Sequence, residues 1–330
     1  MKVKLKELVT LKYGKRQADV EDSQGCIPLY GTGGVFGTAN QALYDLPSIL
    51  IGRKGTINKP FWVDKPFWCV DTMFYSIIND EKVIPKYLYY NLSNIDFLNY
   101  NEGTTIPSLR VDTLNEIEIL LHNPIMQQHI VDILGTLDEK IENNNAICDK
   151  ISNQALLEIE EILLKTMELI PLKKCIKFIK GKKPLNEDSD MLPYLTIEGM
   201  ETYQFVSACS KNMVIVHEND ILMVMDGASS GRVYSAVNGI VSSTMSKIDI
   251  VKGDKDLIYW LLKTNEKRIS AQNTGSAIPH TDKDFVGELL VPASVSIHNL
   301  KTYRDSILQY RKENLKLTEL KQLYLKKFFG

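Results

Sequence analysis

The chain has 330 residues, 24% of them charged and 44% hydrophobic, with a formal net charge of −2. That composition belongs to a folded globular protein long enough for two cores, and it excludes a disordered chain. No run of about 18 apolar residues occurs, and the start "MKVKLKELVTLKYGKRQ" has no apolar signal core, so neither a membrane span nor a leader is expected.

In chain order, a basic lead-in ending in "LKYGKR" comes first. "YGTGGVFG" (30–37) is glycine-rich but lacks the Gly-x-Gly-x-x-Gly spacing of a nucleotide loop, and reads as a turn between strands. "PSILIGRKGTINKPFWV" reads as strand, turn, strand, and "PKYLYYNLSNIDFLNY" as a short helix. A turn, "GTTIPS" (103–108), and a strand, "NEIEILLHNP", lead into a long helical run that opens at Pro124, a favoured helix-start residue. In that run Ile130, Leu134, Leu137, Ile141, Asn144, Cys148 and Ile151 recur at steps of four and three.

The same order then repeats. "PLKKCIKFIKGKKP" (171–184) holds six lysines and no acid. "NDILMVMDGASSGRVYSAV" reads as strand, turn, strand, and "DLIYWLLKTNEKRISA" as a short helix. "GSAIPH" (275–280) is the turn and "FVGELLVP" the strand before a second helical run, whose seam is Tyr303, Ile307, Tyr310, Asn314, Leu317 and Tyr324. Apart from Gly135 the two runs contain no internal Gly or Pro. They are expected over about 126–169 and 297–328, each roughly 45–65 Å long. The heptad seams predict that they pair as an antiparallel coiled coil.

Subtraction makes the repetition quantitative. Gly103 and Gly275 differ by 172 positions, as do Pro107 and Pro279, Gly55 and Gly227, and Thr72 and Thr244. Gly14 and Gly181 differ by 167, and Pro124 and Pro292 by 168. A collinear series of this kind marks a duplication. The expected architecture is α+β: two β-rich domains with short helices, over 1–125 and 170–296, joined by long helices over 126–169 and 297–330.

Known catalytic patterns are missing. There is no Gly-Lys-Ser/Thr phosphate loop. "NPIM" (123–126) lacks the second Pro and the aromatic of the motif that holds a flipped base. His122, His129, His217, His280 and His298 have no metal-ligand spacing among themselves or with cysteine. The five cysteines (Cys26, Cys69, Cys148, Cys175 and Cys209) include no close pair, which suits a reducing cytoplasm. No catalytic and no metal-binding residue is expected.

What the modules do offer is polar and basic loops at matching points. Arg53, Lys54, Thr56, Asn58 and Lys59 sit beside aromatics in the first half; Asp226, Ser229, Ser230 and Arg232 stand in the corresponding stretch of the second. Arg suits guanine, Asn suits adenine, and Ser or Thr serve either base. Lys15 and Arg16, matched by Lys182 and Lys183, are suited to phosphates. Thr104 and Thr105, matched by Ser276 and the nearby His280, complete the candidate DNA-binding set. Phe61, Trp62, Phe67 and Trp68 are expected to be core or lid groups rather than base-stacking ones.

The order of module, "GTTIPSL", strand, "HNPIMQQHIVDILGTLDEKIE", long helix, then the whole again, resembles the specificity subunits of type I restriction-modification systems. "IGRKGTINKPFW…CVDTMFY" is similar to the central block of that family's target recognition domains. The second half is looser: "VPASVSIHNLKTYRDSI" lacks the Gln pair, and His280 stands where Ser108 does. The resemblance implies double-stranded DNA as ligand, with the paired helices setting the gap between two half-sites and carrying two methyltransferase subunits. Restriction–translocase subunits would join to cleave unmodified DNA. S-adenosylmethionine would belong to the methyltransferase, and ATP and Mg to the restriction subunit; this chain would hold no cofactor, have no active site and work in the cytoplasm. Glu142, Glu158, Glu160 and Glu161, in the acidic first helix, are the partner-binding candidates, and Asn144 and Asn314 the candidates for fixing helix register. Type IIB specificity subunits share the pattern, and the competing classes are a coiled-coil adaptor that reads no DNA and a β-rich nuclease.

Overall fold

The structure, a computed structural model, describes residues 1–185, 190–275, 278–293 and 298–330. Short apolar runs bounded by Gly, Asn, Asp and Pro become strands, because β-branched and aromatic residues fit a pleated surface and the bounding residues fit turns. The first part of the chain forms β1 (Lys2–Lys4), β2 (Val9–Tyr13), β3 (Ile27–Gly31), β4 (Gly34–Ala39), β5 (Ser48–Gly52), β6 (Phe61–Val63), β7 (Trp68–Cys69) and β8 (Met73–Ile78). Helices α1 (Pro85–Ser93) and α2 (Val111–Asn115), strand β9 (Glu118–Leu120) and the long helix α3 (Pro124–Lys165) follow. The second part forms β10 (Leu169–Pro171), β11 (Ile176–Lys180), β12 (Met191–Leu195), α4 (Ile197–Thr202), β13 (Val206–Cys209), β14 (Ile215–Val216) and β15 (Ile221–Val224). It continues with β16 (Val233–Ser235), β17 (Gly239–Val241), β18 (Met245–Ile250), α5 (Lys255–Thr264), α6 (Glu266–Ala271), α7 (Lys283–Glu288), β19 (Leu290–Pro292) and the long helix α8 (His298–Phe329).

The fold is α+β, and the chain packs as two units: residues 1–140 with 317–330, and residues 141–316. The two units share a sheet topology, with one extra strand, β14, in the second. In the first, strands run β2-β8-β5-β6 in one sheet and β4-β3-β7 in another, with β1 paired to β9. In the second, the orders are β11-β18-β15-β16 and β13-β12-β17-β14, with β10 paired to β19. Both units contain one parallel pairing, Leu29 with Trp68 and Tyr194 with Ile240.

The core of the first unit gathers Leu5, Ile51, Phe74, Tyr87, Tyr90 and Phe97 with Ile130 and Leu134 of α3 and Leu325 of α8. Phe67 is fully buried and Trp68 is 7% exposed, which makes them core groups. In the second unit Ile176, Met223, Ile248, Trp260 and Leu300 belong to one cluster, and the Trp260 Nε1–H donates to the Leu300 carbonyl at 3.0 Å. Each such side chain contributes roughly 1.5–3 kcal/mol by leaving water.

Helix α3 starts at Pro124 because Asn123 caps it: the Asn123 Oδ1 accepts the Met126 N–H at 2.9 Å. It stops at Lys165, short of the expected 169, because Leu169–Pro171 pair with Leu290–Pro292 as a two-stranded ladder. Within the second unit the helices are antiparallel: Asn144 meets Asn314 at 2.8 Å, and further along α3 Cys148 Sγ reaches the Ile307 carbonyl at 3.9 Å. Asn144 is fully buried and also donates to Glu313 at 3.0 Å. In the first unit Lys321 of α8 pairs with Asp138 of α3 at 2.5 Å. Leu300, Arg304, Leu308 and Leu325 are buried as well as the seam residue Ile307, since α8 packs against more than its helical partner. Arg304 pairs with Asp256 at 2.6 Å and stacks 4.1 Å over the Tyr259 ring.

Candidate nucleic-acid interface

The loop after β5 and the Gly-x-x-Ile-Pro turn form one hydrogen-bonded frame in each unit. In the first, the N–H groups of Arg53 and Lys54 both donate to the Thr72 carbonyl, at 2.7 and 3.3 Å. In the second, those of Met225 and Asp226 both donate to Thr244, at 2.8 and 3.2 Å. Gly55 N–H donates to Pro107 and Gly227 N–H to Pro279, each at 2.9 Å. Leu109 donates to the Arg53 carbonyl and Thr281 to the Met225 carbonyl, again 2.9 Å in both. Every partner in this set differs by 172 positions between the units.

Gly55 and Gly227 have φ values of +96° and +104°, a region that side chains with a Cβ disfavour, which is why glycine occupies both. Gly14 and Gly181 are required for another reason. A Cβ on either would lie 2.1 Å from a carbonyl oxygen, that of Val70 or of Ser242. The close approach lets Gly14 N–H reach the Met73 carbonyl and Gly181 N–H the Met245 carbonyl, both at 2.9 Å. The basic residues after each glycine are thereby anchored beside the frame.

On this shared backbone the side chains have been exchanged. The first unit carries Tyr13, Arg53, Lys54 and Ser108; the second carries Lys180, Met225, Asp226 and His280 at the matching places. Half-buried Arg53 lies 5.6 Å over the Tyr13 ring, and its Nε has no hydrogen-bond partner among the described residues. Asp226 instead accepts from His280 Nδ1 at 2.7 Å on one oxygen and from Lys180 Nζ at 3.1 Å on the other. Partial burial pushes the Asp226 carboxyl upward, but the hydrogen bonds from His280 and Lys180 outweigh it and hold the carboxyl below its ordinary range. Ile106 and Ile278 are 59% and 56% exposed, a matched apolar point on each turn.

Lys15, Arg16, Lys54, Thr56, Asn58, Lys59, Thr104 and Thr105 are exposed. Asn58 Oδ1 accepts the Phe97 N–H at 2.6 Å, and Lys59 Nζ lies 5.5 Å from the Phe61 ring, so both also support their own loop. Lys182 and Lys183 are exposed, with Lys182 Nζ donating to the Asn212 carbonyl at 3.2 Å. Ser229 is half-buried. Ser230 is buried, and its hydroxyl lies 2.7 and 2.9 Å from the Gly227 and Pro279 carbonyls, which makes it a strut of the frame rather than a surface donor. Arg232 is exposed and paired with Glu201. His280 is exposed, and Ser276 lies outside the described residues.

On α3, Glu142 and Glu160 are exposed and Glu161 pairs with Lys165. Glu158 is half-buried and takes the Tyr303 hydroxyl, so it faces α8. Sequence reasoning passed over Tyr13 and Lys180; the 167-position offset that aligns Gly14 with Gly181 aligns these two as well.

Residues 1–153 match the family model described as type I restriction modification DNA specificity domain. The type I restriction enzyme MjaVIII specificity subunit of Methanocaldococcus jannaschii is 35% identical over 134 residues, 38% of this chain and 31% of that protein. The match thus spans about a third of that relative's length. A putative type I specificity subunit of Mycoplasma genitalium, S.MgeORF438P, is 24% identical over 324 residues, 86% of this chain and 80% of that protein. The crystal structure of a type I restriction-modification S subunit from M. genitalium has the same fold, with a TM-score of 0.61 at 20% identity, covering 100% of this chain and 96% of that one.

Proposed function

On the premise that the chain belongs to the specificity-subunit family of type I restriction-modification systems, we propose that each unit reads one part of a bipartite site in double-stranded DNA. The recognition domains are residues 1–125 and 170–296, and the long helices over 126–169 and 297–330 set the gap between the two parts. The observation that carries this reading is the duplicated frame: one rigid backbone, presented twice, with different polar and charged side chains on it. A structural repeat needs no such exchange, whereas a pair of readers for two different base sequences does.

Two methyltransferase subunits dock on the helices and, with S-adenosylmethionine, methylate adenine; a restriction subunit using ATP and Mg joins them on unmodified DNA. This chain supplies recognition and scaffolding and is not itself catalytic, and it acts in the cytoplasm with the DNA. Glu142 and Glu160, exposed on α3, are the partner-facing acids.

The test is modified-base sequencing of genomic DNA from cells with and without the gene. A bipartite adenine-methylation motif that disappears with the gene is expected. Methylation that is unchanged, combined with purified chain that selects no bipartite consensus from a duplex library, sinks the reading. Binding should also weaken steeply between about 50 and 200 mM salt, as counterion release requires.

A further inference from the structure

The exchange of Lys54 for Asp226 on an otherwise identical backbone position points to opposite base chemistry in the two half-sites. We propose that the Asp226 carboxylate, held between Lys180 and His280, accepts a hydrogen bond from a cytosine amino group in the second half-site. The inference rests on the DNA-reading function above and adds a base to it.

An ion pair at this place has a structural explanation that must be met first: it could simply lock the turn. The first unit is the control. It closes the same frame with the matching backbone bonds of Arg53, Lys54, Gly55 and Leu109, its turn pinned by Asn101 Oδ1, which accepts the Gly103 and Ser108 N–H groups at 2.8 Å. It carries Lys54 and Ser108 there, two side chains that cannot form an ion pair. In the second unit the frame is likewise closed by the backbone. Gly227 donates to Pro279, and Thr274 and His280 exchange N–H···O bonds at 2.9 and 2.8 Å. The Lys180–Asp226–His280 group is therefore not what the fold requires.

Its chemistry suits a reader. A bare carboxylate on a DNA-facing loop would be repelled by phosphates, but Lys180 compensates the charge of Asp226. Each Asp226 oxygen takes one protein donor, 3.1 Å from Lys180 and 2.7 Å from His280, which leaves a lone pair on each. The Asp226 side chain is 25% exposed, within reach of a ligand yet fixed in place. Among major-groove edges, cytosine presents an amino donor with no acceptor on its own ring beside it. Adenine sets its amino group next to the N7 acceptor, which favours an amide over a carboxylate. Lys54 and Arg53 in the first unit are donors only and suit guanine.

The full chain, wild type and Asp226→Asn, is used to select binders from a randomised duplex DNA library. Wild type is expected to return a bipartite consensus with cytosine at one position of the second part. Asp226→Asn is expected to reduce discrimination at that base pair by about 5–150-fold, with adenine gaining, while the first part stays as it was. A bipartite consensus in which Asp226→Asn changes no base, or weakens all sites uniformly, overturns this inference and leaves the DNA-reading function standing. No bipartite consensus from wild type overturns that function and the inference together. Should Asp226→Asn fail to fold, wild type is measured on its selected duplex with 2-pyrimidinone, which lacks the amino group, replacing each second-part cytosine in turn. A comparable loss at one position supports the contact, and no loss at any of them refutes it.

Discussion

At Gly55 and Gly227 the backbones of the two units do the same thing, and one residue earlier Lys54 and Asp226 carry opposite charges. The contrast shows which parts of a duplicated module are held by the fold and which are left open to change. Gly55 and Gly227, where the frame takes a positive φ, and Gly14 and Gly181, where the backbone passes close to a carbonyl, are the same in both units. Positions whose side chains leave the frame are not: Tyr13 answers to Lys180, Arg53 to Met225 and Ser108 to His280. The units also differ in how they seat α8. The second uses a buried ionic anchor, Arg304 with Asp256; the first uses Leu325 in its core and the less buried Lys321–Asp138 pair.

That difference in anchoring predicts the largest effect. Arg304→Ala leaves Asp256 without its partner and should cost about 3–5 kcal/mol, seen as a shift in the urea midpoint. Lys321→Ala, where the side chains are 16% and 18% exposed, should cost about 1–2 kcal/mol. Equal losses would break the contrast between the anchors.

The frame itself is probed by Gly55→Ala and Gly227→Ala. Each forces a side chain into a positive φ and should cost about 1–3 kcal/mol. The Gly55 variant should be slightly worse, because its Cβ would meet Thr32 Oγ1 at 3.3 Å while that of Gly227 meets nothing within 4 Å. A cost confined to one unit would show that the two frames are not equivalent.

The smallest expected effect is a pH dependence at a matched salt bridge. Glu116 is bound by Lys4 and Lys6, whereas its counterpart Glu288 is bound by Lys173. Hydrogen bonds from Lys4 and then Lys6 bring the Glu116 carboxyl down to about 2. A depressed carboxyl stabilises the fold above its ordinary value near 4.5, and that contribution fades as the pH falls toward about 2. NMR titration of Glu116 should show the low value, and Lys4→Ala should raise it.

Much of this could be read from the chain. The 172-position offset holds through every backbone bond of the frame, because insertions that would shift it fall in other loops. The long helices were visible as heptad seams, and Asn144 and Asn314 do meet within the seam. Loop side chains were harder, since a polar residue in a turn looks the same whether it points to water or inward. Ser230 was expected at the surface and is a buried strut, and Glu158 turns to Tyr303.

The amino-acid sequence alone thus determined the duplication, the α+β class and the glycines that fix the frame, because periodicity and backbone conformation are local properties. The tertiary structure alone decided which side chains share that frame. Lys180, Asp226 and His280 are far apart along the chain, and only the pairing of β11 with β18 and of β18 with β15, together with the turn that closes onto Gly227, sets the Lys180 and His280 side chains within hydrogen-bonding distance of Asp226.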